Sequence, residues 1–307
     1  MDTLTPAGTR IASQNRSEHI ALAMLFAGAV AIAFSPIFVR LSELGPTATA
    51  FWRVAFAAPA LGAWLTVENR RRGPAARRPR STRDWGWLAL AGFCYAGDLA
   101  VWHWSLKLTS VANSTLLANF APIFVTPAAY FLFGERFRPA FLVGLVLAIA
   151  GAALLMGQSL TLSPAHLLGD GLGLVTAAFY GGYMLVLSRL RSAFSTATVM
   201  AWTALFTAVL IFPVALASGE SLIATTARGW TVLLTLALFS HAGGQSLIAY
   251  AFAHLPTSFS SVALLLQPAI AALLAWVILS EPLGPLQALG GAVVLAGIVI
   301  ARRASQG

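Results

Sequence analysis

The sequence predicts an all-α polytopic membrane protein, in which ten transmembrane helices form two five-helix repeats around a central cavity. Of the 307 residues, 58% are hydrophobic and 9% are charged, whereas a soluble domain carries about 25% charged residues. About ten apolar segments, each near the roughly 20 residues that a membrane-spanning helix needs, leave little sequence for a water-soluble domain. The chain also repeats itself at a fixed offset, which places His254 in register with Leu108.

The internal repeat pairs residues 108–154 with residues 254–300 without a gap. The matches that apolar composition does not explain join Ser114 with Ser260, Pro122 with Pro268, Glu135 with Glu281, Pro139 with Pro285, Gly144 with Gly290, and Gly151 with Gly297. A self-match at a fixed offset indicates a repeat architecture, so we expect a first repeat over 1–157 and a second over 158–307. Since each repeat holds five spans, an odd number, the second enters the membrane from the opposite side, as in many secondary transporters.

The predicted spans cover approximately residues 20–38, 46–67, 84–106, 111–133, 139–157, 169–189, 196–217, 229–252, 257–279 and 284–302. Basic residues indicate their orientation, because cytoplasmic loops carry an excess of Lys and Arg. With the N-terminus inside, 15 basic residues fall in cytoplasmic segments and 3 fall outside. We therefore expect both termini in the cytoplasm and the protein in a bacterial inner membrane. The arginine cluster at 70–83 is either a plain topogenic loop or a site for anionic lipid headgroups. It lacks the aromatic residues of an RNA-binding patch, so no nucleic-acid partner is expected.

The second and third spans hold the charges that lie deepest in the membrane. Arg53 is predicted ~10 Å below the outer surface, where it can either snorkel outward or face the interior. Tyr95, Asp98 and Trp102 share one helical face, with Asp98 ~12 Å deep. An intramembrane charge marks a functional site by default. The alternatives are a structural Arg53–Asp98 pair, substrate recognition by either charge, and a proton relay at Asp98.

Prolines interrupt the first, fourth and ninth spans. Pro36 predicts a kink near the outer end of the first span. Pro122 in the fourth span and Pro268 in the ninth are at equivalent positions of the repeat. Asn119 lies three residues before Pro122, and Gln267 directly precedes Pro268. Paired interruptions in inverted halves point to a central binding site, so we interpret Pro122 and Pro268 as hinges and the two amides as substrate ligands.

The sixth and eighth spans supply further polar faces. Tyr180 and Tyr183 lie on one face of the sixth span, and His241 and Gln245 follow i, i+4 spacing in the eighth. His241 is the repeat partner of Tyr95; it is either a helix–helix hydrogen-bond donor or a proton carrier. The fifth and tenth spans carry glycines instead, which let backbones approach closely. We interpret these two as scaffold or dimer-contact helices, in a monomer or a homodimer.

Common enzyme motifs do not occur in the sequence. It has no phosphate-binding loop of the Walker type, no HExxH pair and no CxxC motif. We therefore expect no cofactor, no metal and no enzymatic activity.

Both copies of the repeat resemble a known transporter signature. The stretch from Ser105 to Arg138, with Ala-Pro-Ile-Phe at 121–124 and Phe-Gly-Glu-Arg at 133–136, resembles the first EamA signature of the drug/metabolite transporter superfamily. The stretch from Leu266 to Ala292 resembles the second, and Trp52-Arg53 is similar to a recurring feature of the family. The resemblance implies a ten-helix exporter of small metabolites or drugs, with the aromatic amino acid exporters as the most similar subgroup.

Our leading hypothesis is export of amino acids, aromatic or otherwise neutral, by alternating access in a lipid bilayer. The predicted substrate-binding residues are Arg53, Tyr95, Asp98, Trp102, Asn119, Tyr180, Tyr183, His241, Gln245 and Gln267. One alternative is a proton-coupled multidrug or cation exporter with Asp98 as the proton site. Another is a membrane-embedded lipid-handling enzyme.

Overall fold

A computed structural model describes residues 7–109, 111–156, 164–280 and 283–305. Within these ranges the regular structure is helical and contains no strand. The α-helices are α1 (Ala7–Ala33), α2 (Ser35–Leu41), α3 (Pro46–Arg72), α4 (Thr82–Leu108), α5 (Val111–Ala118), α6 (Ala121–Phe133), α7 (Pro139–Met156), α8 (Leu167–Arg191), α9 (Thr196–Ala217), α10 (Ala227–Thr235), α11 (Ser246–Ala251), α12 (Thr257–Ala263), α13 (Leu266–Leu279) and α14 (Pro285–Ser305). A π-helical segment, Leu236–Gln245, joins α10 to α11.

Nine helical stretches among the described residues are long and apolar enough to cross a membrane. The chain is therefore an all-α polytopic membrane protein. The third predicted span is a continuous helix of 27 residues, α4, but it is not among the nine. Asp98 and the tryptophans of α4 lower its mean hydropathy, so the count of ten spans stays a prediction.

One side of helix α4 packs against α8 and α9, while Phe93 and Trp104 on other faces are exposed. Leu88 and Ala91 are fully buried, and Thr207 of α9 donates a hydrogen bond to the Gly92 carbonyl at 3.2 Å. A helix face that packs against protein is shielded from lipid and can carry polar side chains at membrane depth. This packing explains how α4 can hold Asp98.

Helices α7 and α14 pack closely against each other, and glycines make this contact possible. A Cβ placed on Gly297 would lie 2.5 Å from the backbone nitrogen of Ala148, and one on Gly144 would lie 2.7 Å from the Gly297 carbonyl oxygen. A Cβ on Gly151 would likewise lie 2.8 Å from the Gly290 carbonyl oxygen. The predicted scaffold helices thus pack against each other within one chain. We call this contact the glycine seam.

The outer faces of the helices are apolar and exposed. Phe131 in α6 is 81% exposed, and Leu132 and Val146 are each more than 60% exposed. In a soluble protein such a surface would be a large unpaired patch, whereas in a bilayer it faces lipid tails. The exposed surface agrees with the membrane assignment.

The bends of the helices follow the sequence. The first span breaks at Phe34, where α1 ends and α2 begins with Ser35-Pro36, and this confirms the predicted kink. The fourth span breaks between α5 and α6 and the ninth between α12 and α13. The starts of α5 and α12 are repeat partners, and so are the starts of α7 and α14, because each pair is separated by the offset of the internal repeat.

Candidate functional site

The break between α5 and α6 places a polar side chain beside the hinge proline. Helix α5 ends at Ala118, and Pro122 is the second residue of α6. Because proline has no N–H group, it cannot donate to the Ala118 carbonyl and continue the helix. Asn119 lies in the gap, where its side-chain amide donates to the Thr115 carbonyl at 2.8 Å.

The break between α12 and α13 repeats this arrangement. Helix α12 ends at Ala263, and α13 begins at Leu266 with Gln267 and Pro268 in its first turn. The Gln267 backbone N–H donates to the Leu264 carbonyl across the break at 3.0 Å. Each interrupted helix therefore carries an amide side chain within three residues of a proline.

Both interrupted helices border an internal cavity of about 180 Å³. Eight of the ten predicted substrate-binding residues line it: Arg53, Tyr95, Asp98, Trp102, Asn119, Tyr180, Gln245 and Gln267. Ile32, Leu99, Thr115, Ala118 and Thr176 complete the wall. Sequence reasoning missed Ile32, Leu99 and Ala118, because an apolar residue in an apolar span carries no signal that it faces a cavity.

Arg53 and Asp98 contribute opposite charges to this cavity. The two side chains, both described, form no ion pair within 4 Å. The Nε atom of Arg53 is buried and has no hydrogen-bond partner. Buried polar atoms are normally paired, so an unpaired guanidinium nitrogen beside a cavity is available to a ligand.

Tyr95 connects the cavity to a buried polar network. Its hydroxyl lies 3.3 Å from Nδ1 of His241 and accepts a hydrogen bond from Nε2 of Gln245 at 3.4 Å. The Tyr95 ring also packs against Tyr183, with centroids 4.9 Å apart. His241 and Tyr183 are each 2% exposed and lie behind the cavity wall. The structure thus places these two predicted ligands next to a lining residue and not on the cavity surface.

Two amide side chains leave polar atoms unpaired at the cavity. Oε1 of Gln245 and Nε2 of Gln267 are both buried without a hydrogen-bond partner, and both residues line the cavity. One atom is an acceptor and the other a donor. Together with Arg53 they give the cavity uncompensated hydrogen-bonding capacity of both kinds.

Two glutamates bind backbone groups that are distant from them in the sequence. Glu43, before α3, accepts hydrogen bonds from the Thr225 and Thr226 backbone at 2.9 and 3.2 Å. The hydroxyl of Thr226, with these backbone bonds, holds the pKa of Glu43 below its ordinary value. Glu135, after α6, accepts from the Thr257 and Ser258 backbone at the start of α12. Its repeat partner Glu281 lies outside the described residues.

A bundle of membrane-crossing helices around a polar internal cavity is typical of membrane transporters. Residues 19–157 and 167–303 match the model of the EamA-like transporter family. The chain belongs to this family. The resemblance in the two repeat signatures is thereby confirmed at the family level.

Several curated proteins are similar to the chain. An uncharacterized transporter of Archaeoglobus fulgidus is 26% identical over 93% of this chain and 97% of its own length. A probable terminal-alkyne amino-acid exporter of Streptantibioticus cattleyicolor is 28% identical over 90% and 91%. The threonine/homoserine exporter RhtA of Escherichia coli is 33% identical over 57% and 59%.

A solved crystal structure has the same overall architecture. It is 18% identical to this chain, with a TM-score of 0.79, and the match covers 93% of this chain and 97% of the other. At this identity the likeness shows the fold alone.

Proposed function

We propose that this protein exports small amphipathic metabolites, amino acids first among them, through the central cavity. The observation that carries the proposal is the composition of the cavity lining, which includes a guanidinium, a carboxylate, three aromatic rings and three amides. A zwitterion offers a carboxylate to Arg53 and an ammonium group to Asp98, and charge-assisted hydrogen bonds are about twice as strong as neutral ones. Tyr95, Trp102 and Tyr180 would contact the remainder of the substrate.

The size of the cavity favours a small substrate. Sites for drug-sized ligands enclose roughly 300–1,000 Å³, and this cavity encloses about 180 Å³. Two of the similar proteins are named as exporters of amino acids. Volume and relatives therefore support amino acids over bulky drugs.

The proposed mechanism is alternating access in an inverted repeat. The helix starts that recur at the repeat offset support two repeats, at 1–157 and 158–307. The breaks at Pro122 and Pro268 border the cavity from opposite repeats, so rocking of half-helices about them would open it to one side and then the other. We further propose that the protein lies in a bacterial inner membrane with both termini in the cytoplasm.

Proton coupling through Asp98 is a second candidate, favoured by one observation. Asp98 lines the cavity and forms no ion pair with Arg53. Its carboxylate can therefore bind a proton and a substrate in turn. A proton-coupled cation or drug exporter would use the same carboxylate. No observation favours the lipid-handling enzyme, and the family assignment supports a transporter.

Flux measurements in proteoliposomes distinguish amino-acid export from proton-coupled export of cations or drugs. The reconstituted protein is tested with a panel of radiolabelled amino acids, with and without a pH gradient. Asp98→Asn and Arg53→Gln should each lower substrate flux at least tenfold, since a charged hydrogen bond contributes roughly 1.5–3 kcal/mol. Asp84→Asn, a helix-cap residue outside the cavity, should transport normally. Absence of flux for every amino acid would contradict the leading proposal. Flux that rises with the gradient, and loses that dependence in Asp98→Asn, would support proton coupling.

A further inference from the structure

A second cavity, of about 390 Å³, lies at one end of the bundle and away from the central one. It is formed where α3 and α8 end, where α9 begins, and after α11. Three arginines line it, Arg72, Arg77 and Arg191, together with one carboxylate, Glu68. This is the end that basic residues predict to be cytoplasmic. We call this cavity the arginine pocket.

Phe194 orients two of the three guanidinium groups. Its side chain is 5% exposed, and the Cζ atom of Arg77 lies 5.5 Å from the centre of its ring. Arg191 donates from Nη1 to the Phe194 carbonyl and from Nε to the Ala249 carbonyl at 3.0 Å. Neither bond uses Nη2 of Arg191. A guanidinium stacked on a ring keeps its edge N–H groups for another partner.

The charge of the arginine pocket is not balanced by the protein around it. Glu68 is bound to Arg72, with 3.1 Å between Oε1 and Nε. Within the described part of the chain, Arg77 and Arg191 have no carboxylate within ion-pair distance. Ser195, the N-cap residue of α9, and Thr198 in its first turn line the pocket, and the N-terminus of a helix favours an anion. The pocket therefore has an excess of positive charge.

We propose that the arginine pocket binds the phosphate group of an anionic lipid headgroup. The planar fork of arginine matches the oxygens of a phosphate in pairs. Basic pockets between helix ends on the cytoplasmic side meet the negatively charged leaflet there. The role is independent of the central cavity and of what the protein transports. It also gives the arginine cluster at 70–83 a defined ligand beyond its effect on topology.

The test compares the unfolding midpoint of purified protein in neutral micelles, in micelles containing phosphatidylglycerol, and with inorganic phosphate alone. The paired variant Arg72→Gln/Arg77→Gln removes two charges from the pocket. Arg78→Gln/Arg80→Gln removes two from the same loop outside it and serves as the matched control. Phosphatidylglycerol should raise the midpoint of the wild type and the control by roughly 2–4 °C, the shift for about 1 kcal/mol. The pocket variant should lose that rise.

The outcomes of this unfolding experiment distinguish lipid binding in the arginine pocket from the alternatives. A rise of equal size in all three proteins, or in none of them, would overturn the proposal. If inorganic phosphate reproduces the rise and the pocket variant abolishes it, the site binds free phosphate and not the lipid. High salt should weaken binding to the exposed arginines Arg72 and Arg77, so a salt-insensitive rise would also contradict the assignment.

Discussion

The glycine seam and the central cavity are built by helices that are neighbours in each copy of the internal repeat, yet they use opposite chemistry. In the seam, α7 and α14 meet backbone to backbone, and a single added Cβ would lie within 3 Å of the partner. Around the cavity, the interrupted helices α5–α6 and α12–α13 stand apart and leave polar atoms unpaired. One duplicated unit therefore supplies both a tight contact and an open space.

The contrast shows how a membrane protein separates stability from binding. Lipid tails are as apolar as leucine side chains, so helices in a bilayer gain little from the hydrophobic effect and depend on close packing. The seam provides that packing with almost no polar atoms. The cavity can then keep unsatisfied groups such as Nε of Arg53, because the fold does not depend on them.

The largest expected effect comes from filling the seam. Gly297→Ala would place a methyl group 2.5 Å from the Ala148 nitrogen and 2.6 Å from the Gly144 oxygen, and both are backbone atoms that cannot rotate away. Overpacking of this kind costs roughly 1–3 kcal/mol, so the unfolding midpoint in detergent should fall by several degrees. Gly62→Ala is the control, since nothing lies within 4 Å of its added Cβ. Equal midpoints in the two variants would mean that the seam is not closely packed.

Replacing the two hinge prolines is expected to have a smaller effect, which lowers the transport rate and leaves folding unchanged. In Pro122→Ala/Pro268→Ala the regained N–H groups could bond across each break and make the helices continuous. Maximal flux of an amino acid that the panel identifies should then fall by roughly tenfold, equivalent to about 1.4 kcal/mol in the barrier. Pro127→Ala, within the continuous helix α6, is the matched control. Unchanged flux in the double variant would show that the breaks do not act as hinges.

The smallest effect is expected from the network behind the cavity. Tyr95→Phe removes the hydroxyl between His241 and Gln245 and leaves both without that partner. The Gln245 amide would then be held less firmly in its position. The apparent KM for substrate should therefore rise several-fold, while the maximal flux changes little. Tyr250→Phe, on α11 and outside the cavity wall, provides the comparison. A fall in maximal flux at constant KM would assign Tyr95 a role in the conformational step instead.

Much of the fold was predictable because the membrane restricts the choices. The length of the apolar segments predicted the helices, and prolines predicted their breaks, including the break at Phe34 before Pro36. Arg53 and Asp98 were predicted to mark the site because they are charged residues in apolar spans, and both line the cavity. The sequence could not distinguish residues that line the cavity from residues that pack behind them. Tyr180 and Tyr183 share a helical face, but only Tyr180 lines the cavity. That distinction depends on the tilt and rotation of α8 against α4, which helical periodicity does not specify.

The contact between Tyr95 and His241 has a further consequence. The two residues are separated by the offset of the internal repeat. In the proposed inverted repeat they therefore occupy equivalent positions of the two halves, and their contact lies on the pseudo-symmetry axis. A carrier with identical halves would hold its inward-open and outward-open forms at equal free energy, because exchanging the shapes of the halves converts one form into the other. Tyrosine facing histidine breaks that equality, and a difference of about 1.4 kcal/mol shifts the two populations tenfold. The resting orientation of the empty carrier is then set partly by one divergent pair at its centre.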